Sequence, residues 1–135
     1  MRTRAVLTDE DIAKMADAAV AHARANQWNV TIAIVDDGGH LLWLRRLDGA
    51  APGTAEMAAS KARTAALGRR ESKLYEDVIR QGRTAFLSAP LTAMLEGGVP
   101  IAVNGDVIGA IGVSGVKSDQ DAAVARAGIA ALGIE

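Results

Sequence analysis

The chain has no cysteine, few aromatic residues and almost no net charge, and each shortage excludes something. Without cysteine there are no disulfides, no thiolate metal sites and no cysteine nucleophile. The aromatic residues are Trp28, Trp43, Tyr75 and Phe86 alone, too few for a base-stacking surface. A formal charge of −1 gives no electrostatic case for nucleic acid or an anionic membrane. No apolar run approaches the roughly 20 residues of a membrane span. The opening MRTRAVLTDED turns acidic where a signal peptide would carry its apolar stretch, so the expectation is a cytoplasmic protein. The two histidines cannot build a typical zinc site alone, and no metal site is expected. The phosphate-loop, dinucleotide, nucleophile-elbow and HExxH motifs are absent as well.

What the chain has instead is small residues in patterned runs. With 135 residues it is expected to form a single domain, residues 1–135. The most informative stretch is Gly97 to Gly115, GGVPIAVNGDVIGAIGVSG. Two apolar runs flank Asn104-Gly105, a strong hairpin signal because a type I′ turn needs positive φ at both central residues. Strict alternation would put Ile108, Ala110, Gly112 and Ser114 on one face of the second strand. That face is small and ends in a hydroxyl, which suits either a closely packed helix or a ligand.

Upstream, Thr8 and Asp11 have the spacing of a capping box, and an apolar stripe from Ile12 to Ala23 predicts a helix to about Asn26. His22 lies near its end, beside that stripe. Val30–Asp36 and His40–Leu47 read as strands joined by Asp37-Gly38-Gly39, with Asp36 and Asp37 as turn formers. Alternation in the second strand groups Leu42, Leu44 and Arg46 against Leu41, Trp43 and Arg45, with one of the two arginines expected to need a partner. Thr54 is expected to cap a helix from Ala55 to about Leu67, ended by Gly68. Lys61 stands in its alanine-rich stripe, a charge that must snorkel, pair with Asp48 or Asp121, or meet a ligand. A helical segment is expected around Leu74–Arg80 and a short strand at Leu91–Leu95. Ser118 or Asp119 is expected to cap a last, alanine-rich helix, able to pack on the small face of the preceding strand. The polar groups that could converge are Arg46, Asp48, Lys61 and Ser114, with His40 at the hairpin turn.

The motifs VDDGGHLLWLRRLDGA, SKARTA, GGVPIAVNGDVIGAIGVSG and DQDAAVARAG, in that order, resemble the GlcG/HbpS family, also known through the C-terminal domain of PduO-type proteins. The resemblance implies an α/β (α+β) sandwich: a five-stranded antiparallel sheet flanked by helices on both faces, of profilin or PAS-like layout. It also implies homo-oligomers and, for some members, haem. On that footing the chain is expected to bind a small anionic or tetrapyrrole ligand. Arg46, Asp48, Lys61, Gly112 and Ser114 are the candidate ligand-binding residues, and His40 and His22 the candidate iron ligands. An enzyme acting on a small carboxylate or carbonyl compound through Lys61 and Arg46, or an oligomeric scaffold without a ligand, are the alternatives. The segment Gly68–Arg83 departs most from the family pattern and is expected at the mouth of any pocket.

Overall fold

The structure, a computed structural model, describes residues 1–134. In chain order it contains α1 (Asp9–Ala25), β1 (Thr31–Asp36), β2 (Leu41–Arg46), α2 (Gly53–Gly68), α3 (Lys73–Arg80), a 3₁₀ segment (Thr84–Ser88), β3 (Gly98–Val103), β4 (Asp106–Ser114) and α4 (Ser118–Ala130). The strands form one antiparallel sheet in the order β2-β1-β4-β3. Helices α1 and α4 cover one face, where Met15, Ala19 and Ala122 pack on Ile32, Ile34, Ile111 and Val113. Helix α2 covers the other, where Ala58, Ala62 and Ala65 meet Ala33, Val35 and Ala110.

Local chemistry accounts for most of these boundaries. The Thr8 hydroxyl accepts the Asp11 N–H at 3.3 Å, and the Asp11 carboxylate accepts the Thr8 N–H at 2.9 Å, closing the capping box of α1. Asn104 and Gly105 adopt φ of 51° and 83°, as a type I′ turn requires. One Asp36 carboxylate oxygen accepts the N–H groups of Gly38 and His40, both at 2.9 Å, and so builds the β1–β2 turn.

Several expectations change. The sheet has four strands among the described residues, not five. At Leu91–Leu95 the amides of Leu91 and Leu95 bond carbonyls only two residues back, at 2.8 Å each, which makes tight turns rather than a ladder. The Thr92 and Leu95 carbonyls accept from the hydroxyls of Thr64 and Ser72 rather than from a neighbouring strand. The small face of β4 receives α2, not the last helix. A methyl group placed on Gly112 would overlap the Ala58 carbonyl and the Ala62 amide, and one on Gly98 the Lys61 carbonyl. Helix α4 sits on the opposite face, with Gly128 against Ile111 and α1.

Alternation also fails at two bulges. An extra residue in β4 between the partners of Ile101 and Ala102 turns Ile108 to the α1–α4 side. An extra residue in β2, Leu42, leaves Leu41 opposite Val35 while Trp43 stays opposite Ile34. Thr54 does not cap α2, which begins one residue earlier; its hydroxyl bonds the Ala51 carbonyl and the Thr31 hydroxyl. The helix runs through Gly68 and ends at Arg69, in the left-handed region at φ 58°. The residue before α4 is Lys117, and Ser118 is already helical.

Candidate functional site

Lys61 is 4% exposed and Asp121 2%, and the two side chains meet. The Lys61 ammonium donates to an Asp121 carboxylate oxygen and to the Val113 carbonyl, each at 3.1 Å, while the other Asp121 oxygen accepts the Val116 N–H at 3.1 Å. Burial pushes the Asp121 carboxyl above its ordinary value, opposed first by the Lys61 charge and then by the hydrogen bonds from Lys61 and Val116. Gly97 makes the passage possible: its φ is 134°, and a β-carbon there would lie 2.9 Å from the Lys61 nitrogen. The pair ties α2 to the start of α4 around the end of β4. Of the alternatives for Lys61, the structure contains the ion pair with Asp121.

The other expected site residues are spread out. Ser114, Thr31 and Arg46 are in register across β4, β1 and β2, which sets Arg46 two strands, about 10 Å, from Ser114. Ser114 is buried, whereas Arg46 and Asp48 are exposed. Gly112 lies under α2. His40 is exposed at the β1–β2 turn. His22 is half-buried, its ring edge-on to Trp28 with centroids 5.9 Å apart.

A groove that the sequence did not reveal lies between α1 and β2. Its larger part, about 460 Å³, is lined by Arg24, Gln27, Trp28, Asn29, Arg45, Leu47 and Asp48. Its smaller part, about 190 Å³, runs along α1 past Asp17 and Val20 to Trp43. Arg24 and Arg45 border both parts. Local geometry places each wall. Gln27 turns left-handed at φ 58°, and the Trp28 N–H bonds back to the Ala23 carbonyl at 2.9 Å, folding Trp28 over the end of α1. Trp43 and Arg45 sit opposite Ile34 and Ile32, two apart on one face of β2. Neither Arg24 nor Arg45 has a carboxylate within 4 Å among the described residues, a state they share with Arg46, Arg63, Arg70 and Arg83, while Arg2, Arg4, Arg69, Arg80 and Arg126 are paired.

Two signals in the sequence could have pointed here. Tryptophan is scarce, and both tryptophans stand at arginine spacing: Arg24 and Trp28 four apart, Trp43 and Arg45 two apart. A second, mostly apolar cavity of about 400 Å³ lies between α3 and the 91–95 loop, and Glu76 and Ile79 of the divergent segment line it.

The profile described as "Haem degrading protein HbpS-like" matches residues 7–130. The chain belongs to the HbpS-like family. It is 52% identical over 114 residues to protein GlcG of Escherichia coli K12, covering 84% of this chain and 85% of GlcG. It superposes on a double mutant of Streptomyces reticuli HbpS with a TM-score of 0.88 at 36% identity, covering 98% of this chain and 91% of that one. A crystal structure of a PduOC–haem complex gives a TM-score of 0.87 at 28% identity, covering 97% and 98% of the two chains.

Proposed function

We propose that this HbpS-like protein binds a tetrapyrrole, haem foremost, in the groove between α1 and β2. The observation that carries the proposal is the position of two arginines without carboxylate partners: Arg24 and Arg45 border both parts of the groove, half-buried Trp28 lines one part and half-buried Trp43 the other, and the size is that of an ordinary ligand pocket, a few hundred Å³. Haem is a flat apolar ring carrying two carboxylates, and the donor set suits it. Guanidinium groups bind carboxylates in two-point fashion, and indoles offer broad apolar faces to a ring. Of the two candidate iron ligands, His22 packs against Trp28 and His40 is exposed at the β1–β2 turn; neither lines the groove, so the guanidinium and indole groups carry the reading. When bound, haem would supply an iron centre for ligand exchange or redox chemistry. The chain's own part is to hold the ring and neutralise its carboxylates.

The enzyme alternative through Lys61 and Arg46 has less support, because the Lys61 ammonium is engaged by Asp121 and Val113. A homo-oligomer in the cytoplasm completes the proposal. β2 is an edge strand with Leu41 and Leu42 exposed, the kind of apolar edge that assembly covers. Hemin titration tests the binding: a saturable Soret shift is expected, with affinity close to wild type in His22→Ala and His40→Ala. Absence of saturable binding overturns the proposal.

A further inference from the structure

We propose that the groove reads the carboxylates of its ligand rather than a metal. In this inference, which rests on the tetrapyrrole reading, Arg24 and Arg45 form a two-point clamp for a flat aromatic dicarboxylate, and metal-free porphyrin is bound as well as haem.

Arg24 comes from the last turn of α1 and Arg45 from the edge strand, and both stand where the two parts of the groove meet. Asp48 lines only the larger part and Asp17 only the smaller, so the positive charge is shared by both parts and each carboxylate belongs to one. An anionic ligand is therefore drawn to the junction and repelled from Asp17 and Asp48. A helix C-terminus ordinarily disfavours anions. Here the Ala23, Arg24 and His22 carbonyls are occupied by the N–H groups of Trp28, Gln27 and Asn26, so the guanidiniums dominate the local field.

The imidazoles point the other way. Neither His22 nor His40 lines either part of the groove, and the His22 ring is packed against Trp28. A metal-directed site would present its donor to the cavity. This groove presents guanidinium and indole instead.

Quenching of the tryptophan fluorescence by hemin, protoporphyrin IX and protoporphyrin IX dimethyl ester separates the cases. Protoporphyrin IX is expected to bind within about threefold of hemin, and the ester, which keeps the ring but loses both charges, at least about tenfold more weakly. Arg24→Gln/Arg45→Gln should weaken both acids at least about tenfold, with an unchanged circular dichroism spectrum and melting temperature. Binding of hemin without protoporphyrin IX would overturn the clamp and leave the tetrapyrrole reading standing. Equal binding of acid and ester would also overturn it. Failure of all three to bind would remove both.

Discussion

Two meetings of charge with a helix end have opposite results. At the start of α4, Lys61 and Asp121 are buried and hydrogen-bonded to each other and to backbone. At the end of α1, Arg24 and Arg45 are exposed, border a groove and have no carboxylate within reach among the described residues. A charge stranded in an apolar stripe attracts attention in a sequence, yet burial is what forces it to find a partner inside the fold. An exposed arginine is under no such compulsion and stays available. The lysine marks where the fold closes, and under the proposal the arginines mark where a ligand enters.

The largest effect that tests this contrast should come from Lys61→Met. It leaves the Asp121 carboxylate buried with the Val116 N–H as its remaining partner, and should cost about 3–5 kcal/mol at neutral pH, read by urea unfolding. Adding Asp121→Leu should restore most of the loss, because a buried pair replaced by apolar groups is often neutral. A Lys61→Met protein of wild-type stability that no longer binds hemin would reverse the contrast and move Lys61 into the site.

Next in size is Gly112→Val. Its side chain would run into the Ala58 carbonyl and Ala62, and α2 would have to lift, at a cost of about 3 kcal/mol. A small loss with new ligand affinity would instead mean that the small face is a pocket.

The acid–base behaviour of Asp121 is a finer probe. Its carboxyl titrates above the ordinary value in the folded chain, so the native state holds the proton more tightly than the unfolded one. Its contribution is therefore most favourable below the unfolded value, about pH 4, and declines as pH rises through the raised folded one. Removing Lys61 takes away the main opposing attraction, so the deficit of Lys61→Met should shrink on acidification. Melting temperatures of both proteins across this range check it; parallel curves would mean that the pair is not coupled.

The smallest effect on stability is expected at the groove. Arg24→Gln and Arg45→Gln should each stay within about 0.5 kcal/mol of wild type, as exposed substitutions do, while weakening hemin binding. A loss of several kcal/mol would show that these arginines hold α1 to the sheet.

How far the sequence could be read depended on the range of the interaction. The capping box at Thr8 and Asp11, the Asn104-Gly105 turn and the Asp36 turn are settled within four residues, and all appear in the structure. The segment Leu91–Leu95 misled because its apolar character fits a strand, while its carbonyls are claimed by Thr64 and Ser72 from elsewhere in the chain. The faces of Ile108 and Leu41 misled because a single bulge residue reverses alternation, and bulges carry no reliable local mark.

By itself the sequence determined the helices and paired strands, the small face of β4 and the family resemblance, because each rests on short-range spacing or ordered motifs. Only the tertiary structure decided that α2 rather than α4 lies on that small face, that Lys61 reaches Asp121, and that Arg24 and Arg45 border both parts of a groove lined by Trp28 in one part and Trp43 in the other. These meetings join residues 15 or more positions apart, where the antiparallel register and the crossing of helices over the sheet set which side chains meet.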